Sequence, residues 1–293
     1  MLLTNFYNWF NRNKLRAVHE LDYPQEISGI RLRFKRRRND WQPHLNQTKK
    51  IILQGVEYCT QRRKAVLIGA ALLHDIPLEE LASQFREVLL IDVYHPFWSF
   101  LKNRRFRNVF RINFDITEYI DLLVKSNVEE SLPLVPLSKL YLEDPEIDLV
   151  VSVNVLSQLP CMPIRFLEKN QPRTEQELDQ LAKDLILAHL SYLDLFSCQV
   201  VLITDIEMQT INVMNNVVAR KDLMYGINIF EDKVSSLSHS ATAEFDRIPT
   251  NRTDYQEWEW RLAPCPEVNS KFSYFRKVVG FTDWKKYRLK SSA

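Results

Sequence analysis

Continuous apolar runs alternate with helical stripes along the middle of this chain. Val66-Leu67-Ile68 is closed by Gly69, and Val88-Leu89-Leu90-Ile91 is closed by Asp92. Ile147 to Val153 and Val200 to Ile203 repeat the form, ending at Asn154 and at Thr204-Asp205, and Phe110 to Ile116 predicts a shorter strand. Such runs suit strands of a parallel sheet covered on both faces. Between them, Leu78, Leu81, Ala82 and Phe85 recur at helical spacing behind Pro77, with Glu79 and Glu80 in the first turn. Thr174 and Glu177 have capping-box spacing ahead of a Leu178, Leu181, Leu185, Leu193 stripe. Gln47 to Thr60 predicts another helix. Strands alternating with helices imply right-handed βαβ units.

The end of the chain follows a different rhythm. Trp258, Trp260 and Leu262 alternate with Glu257, Glu259 and Arg261, and Phe272 to Val279 is rich in aromatic and β-branched residues. These predict antiparallel strands finishing the sheet edge. The expected fold is α/β, mostly parallel, with helices on both faces and an antiparallel C-terminal hairpin. Residues 1–60 read as a basic cap and 61–293 as the main domain. Within it, 206–250 has few apolar runs and reads as an insertion or lid.

Composition adds little. A net charge of +2 over 293 residues, with 45% hydrophobic and 26% charged residues, is ordinary for a soluble domain and identifies no partner. No apolar run approaches the roughly 18 to 20 residues that span a bilayer. The start, MLLTNFYNWFNRNK, does not read as a secretory signal. Cys59, Cys161, Cys198 and Cys265 are scattered without metal-ligand spacing, so free thiols in a cytoplasmic protein, and no metal, are expected.

The stretch VLIGAALLHDIP carries the first chemistry. Ligands of an open parallel sheet bind beyond the carboxyl ends of its strands, where Gly69 allows positive φ and close backbone approach. Asp92 follows 23 residues later, near the roughly 20-residue offset of a ribose-binding acid. A dinucleotide motif would need glycines where this chain has Ala71 and His74, and His74 prevents the helix–strand closure that a pyrophosphate site requires. NAD or FAD is therefore disfavoured. S-adenosylmethionine has no pyrophosphate and tolerates a looser turn.

VLIGAALLHDIP, LLIDV, DLVVSVNVLSQLP and VVLITDIE together resemble the successive strand-end motifs of class I S-adenosylmethionine-dependent methyltransferases, over roughly Lys64 to Asp205 and on toward Trp284. The resemblance implies a Rossmann-like fold and binding of S-adenosylmethionine or S-adenosylhomocysteine. It implies that Gly69, Ala70 and Ala71 line the methionine part and that Asp92, with Val93, binds the ribose. Asp115 and Ile116 would then lie near the adenine, and Asn154, Val155, Ser157 and Gln158 would face the methyl donor. Ala71 departs from the family's usual second glycine, which leaves a binding or scaffold protein without turnover as the alternative.

Other residues carry two readings each. Asp75 reads first as a helix N-cap and second as a ligand group. His95 is either a loop histidine packed on Pro96 and Trp98 or a general base. Asp205 and Glu207 end the last parallel strand, where a helix cap competes with a cleft acid as the role of Asp205. Asn154-Val155-Leu156-Ser157 lacks the paired prolines common in nucleic-acid amino-methyltransferases, which favours a small-molecule acceptor. Arg36, Arg37 and Arg38, with Trp41 and His44, read first as a solvated basic face; the alternatives are clamping RNA phosphates and stacking a base, or binding an anionic small molecule.

Overall fold

The computed structural model describes residues 16–99, 105–126, 131–230, 255–268 and 270–291. Helices α1 (Tyr23–Arg36) and α2 (Arg38–Glu57) come first. Strand β1 (Lys64–Ile68), helix α3 (Leu78–Gln84) and strands β2 (Glu87–Asp92) and β3 (Val109–Asn113) follow. Then come α4 (Ile120–Lys125), β4 (Ile147–Val153), α5 (Cys161–Asn170), α6 (Glu175–Asp194) and β5 (Gln199–Asn212). Strands β6 (Val217–Asp222), β7 (Tyr255–Ala263) and β8 (Phe272–Phe281) and helix α7 (Trp284–Ser291) complete the order.

The strands form one sheet in the order β3-β2-β1-β4-β5-β8-β7, with β6 pairing β5. The first five are parallel, in register Val66↔Leu89, Val66↔Val150, Leu89↔Phe110 and Val150↔Val200. The side-chain period of two sends alternate residues to opposite faces, and the consecutive apolar runs fill both. Val66, Ile68, Leu89, Ile91, Val150, Val200 and Leu202 meet α4, α5, α6 and α7 in one core. Ala65, Leu67, Val88, Leu90, Val151, Val201 and Ile203 meet α2 and α3 in the other. Each fully buried aliphatic side chain contributes about 1.5–3 kcal/mol, so apolar positions on both sides of every central strand hold the layers together.

Strand β5 is longer than its parallel neighbour. Beyond β4 it pairs with β6 from Glu207 to Ile211 on one edge and with β8 as far as Asn212 on the other. Strand β7 pairs with β8 from Tyr255↔Phe281 to Ala263↔Tyr274. An antiparallel ribbon therefore stands above the carboxyl ends of the parallel strands. Residues 206–222, expected within an insertion, belong to this ribbon; 231–250 of that expectation lie outside the described residues.

Two boundaries differ from expectation. The helix predicted over Gln47–Thr60 begins at Arg38, because Trp41, His44 and Leu45 start the buried stripe that Thr48, Ile51, Ile52 and Val56 continue. It is thus a layer of the core, although its first turns look polar in sequence. The strand predicted over Phe110–Ile116 covers Val109–Asn113. There Phe114 still donates to the Asp92 carbonyl at 2.8 Å, and Asp115 turns the chain into α4. The capping box of α6 forms as expected, with Thr174 and Glu177 bonding each other's backbone N–H.

Helix α2 crosses the sheet most closely at Gly55, where a Cβ would stand 2.2 Å from Val201 Cγ2. Gly29, within α1, has nothing within 4 Å of its Cβ position. Gly55→Ala is expected to destabilise the protein by about 1–3 kcal/mol through overpacking. Gly29→Ala is expected to stabilise it by about 0.5–1 kcal/mol through helix propensity. Urea denaturation of both variants checks the contrast; equal effects would mean that α2 does not approach β5 so closely.

Candidate functional site at the carboxyl ends of the parallel strands

Strand order reverses between β1 and β4, and the loop leaving β1 opens this switch point. Gly69 adopts φ +88°, and a Cβ there would stand 2.4 Å from the Val153 carbonyl oxygen. Both requirements demand glycine. The N–H groups of Gly69 and Ala70 donate to the Ile91 carbonyl at 3.0 and 3.2 Å. Ala71 N–H then donates to Asp92 Oδ2 at 2.9 Å, which ties the loop to β2.

Asp92 is largely buried. Burial raises its pKa from the ordinary 3.8 to about 6, against backbone donors at Ala71, Tyr94 and Val93 and with the Asp75 charge adding to the rise. Asp75 marks the far end of the same loop. Helix α3 starts only at Leu78, with Pro77 as its N-cap and no side-chain cap, so Asp75 is not the N-cap. Its Oδ2 instead accepts from Asn154 Nδ2 at 2.8 Å, tying the loop to the end of β4. Burial raises the pKa of Asp75 also.

Asn154 has φ +51°, and its N–H donates to the Ile203 carbonyl at 2.8 Å. It is 8% exposed, and its Oδ1 has no hydrogen-bond partner. Behind it lies His44, 1% exposed, stacked on Trp260 with centroids 4.3 Å apart. Trp258 Nε1 donates to His44 Nδ1 at 3.0 Å. This leaves the proton on Nε2, and burial lowers the His44 pKa to about 3. The 3.4 Å approach of His44 Nε2 to Asn154 Nδ2 then joins two donors, so the Asp75 carboxylate orients the amide. Trp41 is 3% exposed, meets Trp260 edge-on at 4.9 Å and donates to the Leu262 carbonyl at 2.9 Å. Both aromatic members of the basic segment thus face inward.

The arginines divide. Arg36 and Arg37 both bond Glu267, at 2.6 and 2.9 Å, while Arg38 points to solvent. Asp205 is fully buried and accepts from Ser157 Oγ and Arg276 Nη1. Glu207 accepts from Arg220 and Gln209 at 2.9 and 2.6 Å. Gln158 Nε2 donates to the Asn154 carbonyl at 2.7 Å, and Val155 lies against Gly69. Asp115 accepts four hydrogen bonds, from Thr117 N–H and Oγ1 and from the Tyr119 and Ile120 N–H groups, so its carboxylate caps α4. Ile116 is core and Val93 packs against it. His95 Nδ1 and N–H both meet Asn113 Oδ1, at 2.8 and 3.0 Å, and burial lowers its pKa to about 4.

Helix α1 lies across these strand ends. Tyr23 stands near Asp115 and Asp92, whose charges add to burial in raising its pKa. Glu26 pairs with Arg165 of α5 at 2.8 Å, and Arg31 lies 4.2 Å over the Trp98 ring. Phe34 stacks on His74 at 3.7 Å. Tyr23, Asp75 as a partner of Asn154, and Arg276 were missed as site residues from sequence. Arg276 had a readable signal: two residues before the inward-facing Val278 on β8 it shares that face, where a charge needs a buried partner.

No family model matches the sequence, and no curated protein matches it. Solved structures align with it at low similarity. The N-methyltransferase NodS from Bradyrhizobium japonicum WM9, in complex with S-adenosylhomocysteine, aligns at 10% identity over 81% of this chain and 86% of that one, with TM-score 0.33. The Burkholderia thailandensis 1,6-didemethyltoxoflavin-N1-methyltransferase aligns at 10% identity over 89% and 91%, with TM-score 0.31. For the 23S rRNA methyltransferase ErmE the values are 14% identity, 54% of this chain, 46% of that one and TM-score 0.27, so this chain spans about half of ErmE. The parallel order β3-β2-β1-β4-β5 with its antiparallel edge pair is this chain's own.

The fold is α/β, with a mostly parallel sheet and an antiparallel C-terminal strand pair.

No group of three or more His, Cys, Asp or Glu among the described residues is placed to hold a metal ion. No described helix is long and apolar enough to cross a membrane.

The raised pKa of Asp92 has a signed consequence for stability. Its folded value lies above the unfolded one, so the stabilisation it brings is complete below about pH 4 and is lost as pH rises through about 6. Asp92→Asn removes that dependence. The stability of the variant relative to the parent is expected to rise between pH 4 and pH 7 by on the order of 2 kcal/mol, measured by urea denaturation at each pH. A difference independent of pH would mark Asp92 as an ordinary carboxylate.

Proposed function

We propose that this protein is an S-adenosylmethionine-dependent methyltransferase whose acceptor is a small molecule or an RNA. The observation that carries the reading is the Gly69 turn at the switch point, tied to the Asp92 carboxylate of the neighbouring β2 at 2.9 Å from Ala71 N to Asp92 Oδ2. One Asp92 oxygen anchors the loop, and the carboxylate keeps acceptor capacity for ribose hydroxyls. Val93 and the main chain at Asp115 and Ile116 would flank the adenine. Gly69, Ala70 and Ala71 would run along the methionine part, with Asn154, Val155, Ser157 and Gln158 opposite.

The same loop argues against a dinucleotide. Helix α3 begins nine residues after Gly69, and Pro77 at its N-cap has no N–H to offer a phosphate. His74, stacked on Phe34, fills the place where a third glycine would let helix and strand close up.

Methyl transfer asks little of side chains. The acceptor's lone pair attacks the sulfonium methyl in line, the carbon–sulfur bond breaks, its electrons neutralise the sulfur, and the acceptor releases a proton if it carries one. Alignment supplies much of the acceleration. His95, neutral near pH 7, is the candidate base with a lone pair at Nε2, whereas Asp205 and Glu207 are held by Arg276 and Arg220. Those two ion pairs favour the second reading, a methyltransferase-fold binding protein without turnover.

Calorimetry with S-adenosylmethionine and S-adenosylhomocysteine tests the ligand assignment. Binding is expected in the parent and is expected to weaken at least tenfold in Asp92→Ala, through loss of hydrogen bonds to a charged acceptor. Absence of binding at millimolar ligand would defeat the proposal. A labelled-methyl screen against metabolites and RNA then separates enzyme from scaffold.

A further inference from the structure

The antiparallel ribbon above the strand ends carries an arginine on the face that Trp258, Trp260 and Val278 make apolar. Arg276 of β8 stands directly across from Trp260 of β7, and cross-strand partners share a face of the sheet. Its guanidinium carbon lies 5.7 Å from the centre of the Trp260 ring. Asp205, fully buried, holds Arg276 by Nη1, and the other oxygen of that carboxylate is taken by Ser157 Oγ. The guanidinium is thereby fixed through one nitrogen, while its Nε–H is buried and meets no acceptor among the described residues. The Nε1–H of Trp260, a residue 7% exposed, is in the same state. His44, stacked on Trp260, directs its own Nε2–H at another donor, the Asn154 amide. Donors thus gather here without acceptors. A guanidinium and an indole can only donate, so what complements them is a group rich in lone pairs.

We propose that Arg276 and Trp260 form the seat of an oxyanion, the carboxylate or phosphate of the methyl acceptor. The proposal rests on the adenosyl reading above and deepens it by naming the acceptor's class, a small organic acid. The planar fork of an arginine matches carboxylate and phosphate oxygens. With Nη1 turned to Asp205, the Nε side of the fork serves the ligand, and the indole N–H adds a second donor from the neighbouring strand. The Arg276 side chain keeps 20% of its surface exposed, whereas Trp260 lies deeper. A terminal oxyanion fits such a site, and a phosphodiester within a nucleic-acid strand does not. Ser157, assigned above to the methyl-donor side, bonds the same Asp205 that holds Arg276, which sets the seat beside the donor. Arg36 and Arg37 spend their charge on Glu267, so the anion site expected of them falls to Arg276.

Melting of the protein in acetate and in inorganic phosphate, each against chloride at equal ionic strength, tests the seat. A ligand that binds the folded state raises the midpoint by an amount set by its affinity. At least one of the two anions is expected to do so, and the comparison shows which oxyanion is preferred. Arg276→Lys keeps a cation beside Asp205 and removes the Nε–H; Trp260→Phe keeps a ring and removes the indole N–H. Each is expected to weaken the anion about tenfold or more. A cooperative transition shows that a variant folds, and either variant alone decides the test. In the parent, the Trp260 indole N–H resonance, identified by its loss from Trp260→Phe, is expected to move with the anion. The seat is overturned if neither anion raises the midpoint, if the rises are equal in parent and variants, or if that resonance stays put. Calorimetry with S-adenosylhomocysteine separates the two readings. If it binds and neither anion does, the seat alone fails; if an anion binds and it does not, the adenosyl reading fails and the seat stands as an anion site.

Discussion

The loop from Gly69 to Pro77 holds its place because it is tied to the strand on either side of β1. On one side Ala71 N–H bonds Asp92 at the end of β2, and on the other Asn154 bonds Asp75 from the end of β4. Between these ties Gly69 lies so close to the Val153 carbonyl that no side chain fits. The loop is long and starts no helix at once, so its shape depends on those contacts rather than on secondary structure. Carboxylates supply both ties, and both are buried at the expense of their charged forms. A fold selected for stability alone would place neutral acceptors there, since an unpaired buried charge is costly. Both acids stand where the sheet opens, and that placement supports the ligand site proposed there.

Much of this was legible in sequence, for a definite reason. A strand buried on both faces must be apolar at every position, so β1, β2, β4 and β5 announced themselves, and their last residues marked the strand ends. The alternation of Trp258, Trp260 and Leu262 fixed the antiparallel edge in the same way. What failed was judgement of segments whose polarity is local and whose burial is tertiary. Trp41 and His44 stand in a charged neighbourhood, yet they face inward because β7 brings Trp260 against them. Asp75 precedes a helix and looks like its cap, but the helix starts late and the amide of Asn154, 79 residues away, claims the carboxylate. Asp115 likewise spends itself on α4. Side-chain polarity gives the inventory of such groups, whereas partner choice is made by the sheet topology.

The basic segment and the strand ends are also one unit. Arg36 and Arg37 hold Glu267 between β7 and β8, so the charge that reads as a patch is partly neutralised within the chain. By fixing the end of α1 there, the pairing lays the rest of the helix over the crevice, with Phe34 on His74, Arg31 on Trp98 and Tyr23 beside Asp92 and Asp115. Beneath this cover the carboxylates are taken out of water, at a cost to their charged forms. That same exclusion raises the Asp92 pKa toward neutrality. Helix α1 is held by the buried Ile27, by Tyr23, Ile30 and Phe34 packed against the two cores, and by the ion pairs of Arg36 and Arg37 with Glu267. Apolar packing and charge pairing thus fix the cover over the strand ends, while the loop beneath it is fixed by its ties to β2 and to the end of β4.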